Sequence, residues 1–262
     1  MTLLTLQNDG VDLSWAMALA ASLPASLRLV DQGGDMVLVS GRGDWPARLL
    51  ALIEAAHRRL IVIDPQACAI GQDTIARIES TGARIMLCET HADNPAVAQF
   101  RADATGDYAA ATITGQGAAA IANLVLQQLR LARGAGFAPG MIVHAVGDED
   151  CAVATVQADF GDGQVPLRLT AARTRTGGHH RLLTHGRMAS SGLQVWTDPA
   201  SRPATAFHIS ADRTIEQPTI YESAHRASLR LVLASSDAFL GNGGLQAWAH
   251  DASLAMTIAS AF

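Results

Sequence analysis

The sequence contains no lysine: all 19 cationic side chains, from Arg28 to Arg230, are arginine. A coding bias toward alanine and arginine is a sufficient cause. The consequence holds whatever the cause, since no Schiff base, lysine ammonium or lysine general acid can operate in this chain. Cysteine is also scarce: Cys68, Cys88 and Cys151 lie far apart, which suits reduced thiols and not a disulfide framework. No apolar run is long enough to span a membrane, and the opening residues carry acid where a signal peptide needs basic charge. These features lead us to expect a cytoplasmic protein. A net charge of −5, with no basic cluster interleaved with aromatics, argues against nucleic acid as a partner. There is no G-x-S-x-G elbow, no P-loop and no Cys-x-x-Cys, so acyl transfer, nucleotide hydrolysis and a zinc ribbon have no basis.

What is present describes a folded chain. Hydrophobic residues make up 49% and charged residues 16% of 262 positions, enough for two modest domains with buried cores. Short β-branched runs at 2–6, 27–31, 35–40, 59–64 and 83–89 alternate with helical stretches at 13–23, 44–57 and 71–81. That alternation predicts a parallel, doubly wound sheet. Near residue 110 the character changes. Longer strands over 140–147, 151–160, 165–174, 180–186 and 192–198 are joined by hairpin signals such as Asp162-Gly163, which predicts an antiparallel sheet. The stretches 221–240 and 244–262 supply closing helices.

The most informative segment is 57–73, "HRRLIVIDPQACAIGQD": an apolar strand stopped by Asp64 and Pro65, then a polar loop. The carboxyl end of a strand in an open α/β sheet is where ligands collect. Together with "GDMVLVSGRGDWPARLLALIEAAHRR" upstream and "GQGAAAIANLVLQQLRLARG" (115–134) downstream, this segment resembles the Gfo/Idh/MocA oxidoreductases, the glucose–fructose oxidoreductase and inositol dehydrogenase family. The closing helices are similar as well. The resemblance implies a shortened Rossmann-like domain over residues 1–110. It further implies an open, mostly antiparallel sheet with helices on one face over residues 111–262.

The matched positions do not carry the family's chemistry. Its Glu-Lys-Pro corresponds to Ile63-Asp64-Pro65, so an acid stands in the lysine position. Its helical Asp and His fall on Ala120 and Leu124, neither of which can move a proton. Hydride transfer at an alcohol carbon needs a partner for the hydroxyl proton. The cofactor end is equally altered. A dinucleotide fingerprint needs G-x-G-x-x-G after the first strand, whereas residues 7–12 read "QNDGVD". Each carboxylate about 4–6 Å from a phosphate would cost on the order of 1–4 kcal/mol. Asp12 is better read as a helix cap. Asp31 ends the second strand, where the family's ribose-binding acid would stand, but the third strand follows almost at once. Asp31, Gly41 and Pro65 are the residual cofactor-side candidates.

Other clusters have plainer readings. Adjacent His179 and His180 point to opposite faces of a strand, and His185 adjoins a turn, so no metal site is expected. In "GRGD", Gly41 and Gly43 form a turn and Asp44 caps a helix. The acids of "VGDEDC" suit a hairpin rim, and His225 a helix surface or interface. The reading that follows is an oxidoreductase-like pseudoenzyme, a binding, structural or regulatory subunit with no cofactor. Through its C-terminal sheet it would form a homo-oligomer, or a hetero-oligomer with an active relative. The alternatives are an NAD(P)-dependent dehydrogenase of a small polyol or sugar with a rewired site, and a metal or acid/base enzyme that reuses the interdomain cleft.

Overall fold

The computed structural model describes residues 2–6, 17, 21–23, 26–103, 108–175, 177–197, 202–234 and 244–262. The expected loop at 7–12, the cap Asp12 and most of the helix expected at 13–23 lie outside the described residues. The chain forms two compact units, residues 1–89 with 225–249, and residues 90–224 with 250–262. A single division near residue 110 therefore does not describe it. Residues 90–103 group with the second unit, and the chain returns to the first unit after residue 224.

The first unit contains β1 (Thr2–Leu6), β2 (Leu27–Val30), β3 (Met36–Ser40), α1 (Trp45–Glu54), β4 (Arg59–Ile63), α2 (Gln72–Ser80) and β5 (Arg84–Cys88). All pairings are parallel, in the order β2-β1-β3-β4-β5. Its central strands are apolar on both faces, as a sheet covered on both sides requires. Leu38, Ile61, Ile63 and Met86 pack with Leu229 and Val232 of α5 (Ala224–Ala234), while the alternate residues Val37, Val39, Leu60 and Val62 are buried as well. Asp44 caps α1 by accepting from the Ala47 amide at 3.2 Å, as its sequence position predicts.

Only residues 31–35 separate β2 from β3, although β1 lies between them. The connector passes directly across β1. The Gly34 amide donates to Thr5 Oγ1 at 2.8 Å, and the Leu3 amide donates to Asp35 Oδ2 at 2.8 Å. A Cβ on Gly34 would stand 2.6 Å from Thr5 Oγ1 and 2.7 Å from the Thr5 amide, so only glycine passes this close.

The second unit contains α3 (Pro95–Asp103), β6 (Tyr108–Gly117), α4 (Ile121–Gly134), β7 (Ala138–Gly147), β8 (Cys151–Phe160), β9 (Gly163–Arg173), β10 (His179–Gly186), β11 (Ala189–Trp196), β12 (Thr205–Ser210) and β13 (Thr214–Glu216). The last helix, α6 (Gly244–Ala259), gives Trp248 to the first unit and Asp251 to the second. The sheet runs β13-β12-β11-β10-β6-β9-β8-β7 and is antiparallel except where β6 meets β9. The helix expected from residue 115 begins instead at Ile121, because Gly115 and Gly117 belong to β6. Strand β8 shows the alternation of a one-sided sheet, with Ala152, Ala154, Val156 and Ala158 buried. The outer strand β7 breaks register twice against β8, at Pro139/Met141 and Ile142/His144. Among the described residues, no helix is long and apolar enough to cross a membrane.

The second unit is pinned by a buried ion cluster. Asp251 of α6 accepts from Arg130 Nη1 at 3.0 Å, Arg133 Nε at 2.7 Å and Arg133 Nη2 at 2.6 Å. Asp251 and Arg130 are almost fully enclosed. Two guanidiniums on one carboxylate satisfy the charge-pairing that burial demands.

Candidate functional site

The carboxyl ends of β3, β4 and β5 hold the residues that sequence reasoning singled out in the first unit. Gly41 follows β3, and its amide donates to the Ile63 carbonyl at 2.7 Å. A Cβ there would lie 2.4 Å from that oxygen and 2.5 Å from the Pro65 Cα and nitrogen. Gly41 is thus a packing glycine, pressed against the turn that ends β4. Pro65 is buried in the same contact. Asp64 sits between them with φ +48, a left-handed conformation that aspartate tolerates better than most residues. Its amide donates to the Cys88 carbonyl at 2.9 Å, tying the turn to β5.

This geometry turns the Asp64 carboxylate toward α5. Asp64 Oδ1 lies 2.9 Å from His225 Nε2, with 44% of the aspartate side chain and 18% of the histidine exposed. The residue matched to the family's lysine therefore has an imidazole partner. Sequence reasoning placed His225 on a helix surface or interface and did not join it to Asp64. The two are 161 residues apart, and no spacing signal connects them. A carboxylate holding an imidazole at a strand outlet is a pair able to store or pass one proton.

In the second unit, the positions matched to the family's helical Asp and His are structural. Ala120 is the exposed N-cap of α4, with no side-chain capping bond. Leu124 is 2% exposed, and its Cδ2 stands 3.1 Å from where a Cβ on Gly117 would be. One turn further along, Gln127 Oε1 lies 3.0 Å from His180 Nε2. The His180 ring is fully buried and meets His91 edge-on at 4.2 Å. Burial, and secondarily the neighbouring His179, pushes the proton affinity of His180 down to about 3. The ring is neutral throughout the ordinary pH range.

The histidines of 179–185 separate as the strand's period requires. His179 stacks on Trp196 with ring centroids 4.6 Å apart, His180 is buried on the opposite face, and His185 Nδ1 pairs with Ser190 Oγ at 3.2 Å. Among the described residues, no three His, Cys, Asp or Glu side chains are grouped as metal ligands. Burial raises the Cys68 thiol to about 11, with Asp44 adding to the shift, so this cysteine is not a ready nucleophile. The acids of residues 148–150 form the β7–β8 hairpin, where Asp148 Oδ1 accepts from the amides of Asp150 and Cys151.

Asp31 is exposed at the start of the connector. The described residues around β1 and β2 do not fit the adenosine half of a dinucleotide. The chain itself lies across β1 at Thr5, and no helix and strand follow β2 to form the ribose pocket.

No protein-family model matches the sequence, and no curated protein does. Solved structures match over nearly the whole chain. The dehydrogenase MviM from Clostridium difficile aligns with a TM-score of 0.71 at 8% identity, covering 100% of this chain and 99% of that one. UDP-N-acetylglucosamine 3-dehydrogenase GnnA from Acidithiobacillus ferrooxidans aligns at 0.66 and 13% identity, covering 98% and 95%. KijD10, a 3-ketoreductase from Actinomadura kijaniata in complex with NADP, aligns at 0.63 and 13% identity, covering 99% and 95%. At such identities the likeness is one of fold.

Proposed function

We propose that this chain, which has the two-domain fold of the Gfo/Idh/MocA-type oxidoreductases, acts as a non-catalytic binding, structural or regulatory subunit. The observation that carries this reading is Leu124: the position matched to the family's proton-carrying histidine is a core side chain wedged against Gly117. A residue locked into packing there neither donates nor accepts a proton. The exposed methyl of Ala120 and the connector lying on β1 support the same reading.

The partner we propose is a second copy, or an active protein of the same fold, meeting the open face of the eight-stranded sheet. The exposed Met141, Val143 and Val146 of β7 are consistent with an apolar contact there.

Thermal unfolding with millimolar NADH and NADPH tests the central claim. A cofactor at 100 times its Kd would stabilise by about 2.7 kcal/mol. The expected result is no saturable shift in midpoint; a saturable shift would overturn the proposal.

A second reading rests on the Asp64–His225 pair, which suits an acid–base enzyme that needs no nicotinamide. Solvent deuterium entering a supplied sugar, with the exchange abolished in His225→Gln, would select it.

A further inference from the structure

Strand register arranges the open face of the eight-stranded sheet in rows. One row runs Arg168 (β9), Thr112 (β6), Leu183 (β10), Gly192 (β11), Phe207 (β12) and Glu216 (β13), each residue opposite the next. The row beside it runs Thr170, Thr114, Arg181, Gln194 and Thr205. The alternate residues Leu182, Leu193 and Ala206 are buried on the other face, which α3 and α4 cover. In the middle of the first row the Phe207 ring lies where a Cβ on residue 192 would stand, and Leu183 Cδ2 is 3.1 Å from that point. Phe207, Gly192 and Leu183 thus form one low apolar platform.

The charges of the first row stand at its two ends. Arg168 and Glu216 are exposed, and among the described residues neither has an ion-pair partner. They are five strand spacings apart, about 24 Å at roughly 4.8 Å each, so they do not meet within one chain.

They do meet between two chains. A twofold axis pairs residue i with j and j with i across like faces. An axis along the strands, between β10 and β11, keeps every row over its own copy and reverses the strand order. Strand β9 then faces β13 of the other copy, β6 faces β12, and β10 faces β11. Arg168 meets Glu216 of the other copy twice over, Leu183 meets Gly192 beside Phe207, and Arg181 meets Gln194, whose amide oxygen accepts from a guanidinium. An axis through β6 would instead set Arg168 over Leu183 and leave Glu216 beyond the other sheet. Stacked sheets rotate their strands by about 30°, which at about 12 Å from the axis displaces the outer pair by roughly 6 Å, a distance an arginine side chain spans.

We propose that a second copy of this chain covers this face, with the twofold axis between β10 and β11 and reciprocal Arg168–Glu216 ion pairs around an apolar centre. The inference rests on the reading that a partner meets the large sheet. It selects a second copy over a different protein, because one set of residues supplies both halves of the match.

Sedimentation velocity of the full chain across micromolar concentrations tests it. The expected result is a dimer. Arg168→Glu and Glu216→Arg each set like charges against each other in both pairs, and each should raise the dimer dissociation constant by about tenfold or more without moving the thermal midpoint of the chain. The double variant Arg168→Glu/Glu216→Arg rebuilds both pairs in reverse and should recover the wild-type value. A wild-type chain that stays monomeric, single variants that dimerise as the wild type does, or a double variant no tighter than the singles would each overturn the proposal. None of these outcomes bears on the nucleotide titration, so the dimer and the lack of cofactor binding fail separately.

Discussion

Two aspartates, one in each unit, hold nitrogen-bearing partners from distant elements, and they do opposite work. Asp251 is enclosed between two arginines of α4, where every oxygen is satisfied and no solvent reaches. Asp64 stands at a strand outlet, nearly half exposed, on a left-handed backbone, holding one imidazole. The first pair is a structural rivet whose worth comes from burial. The second is a surface pair kept at a backbone cost, in a place where parallel sheets present chemistry. The comparison separates two uses of one side chain: Asp251 completes a closed ion cluster in the second unit, while Asp64 keeps a partly exposed polar pair at a strand outlet of the first.

The largest expected effect tests the rivet. Asp251→Ala removes the carboxylate that pairs Arg130 and Arg133 in a closed interior, and it should cost about 3–5 kcal/mol in urea unfolding. A loss under about 1 kcal/mol would place Asp251 in the same class as Asp64. An intermediate effect comes from pH. The His180 ring binds a proton near 6.5 when unfolded and only near 3 when folded. Between those values the unfolded chain alone is protonated, so stability falls as pH drops below 6.5, by about 1.4 kcal/mol per pH unit. Unfolding measured from pH 7 to 4.5 should show this slope, and His180→Leu should flatten it; identical slopes would show that the ring is not sealed. The smallest effect belongs to the outlet. Asp64→Asn keeps a residue that tolerates left-handed backbone and removes the carboxylate's charge beside His225, and it should cost no more than about 1 kcal/mol. A loss equal to that of Asp251→Ala would erase the distinction between the two.

Much of the fold was legible from β-branched periodicity. The runs at 36–40, 59–63 and 151–160 are strands because they are apolar where both faces are covered, and alternating where one is. The short connection from β2 to β3 was legible too, since five residues leave no room for a further helix and strand. Strand β6 was not. "YAAATITGQG" has weak strand propensity, and its glycines read as a helix start. They sit in the strand because His180 and Leu124 need the space above them, a tertiary demand with no local signature. Helix α3 carried a usable signal, Asn94 capping the Ala96 amide with Pro95 in the first turn, yet its weak amphipathicity hid it. Asp64 was singled out from its place at the end of an apolar strand, where the structure has it follow β4. The Asp64–His225 pair was not, because its members meet only through the return of α5 to the first sheet.

The doubled register break in β7 has a consequence for assembly. A strand that slips twice along its length offers no continuous row of amides and carbonyls to a newcomer, and at the opposite margin β13 is only three residues long. Neither margin is a template for extending the sheet from one molecule into the next. Any contact of the large sheet with a neighbour is therefore left to its broad surface, and strand-by-strand growth from its margins is disfavoured.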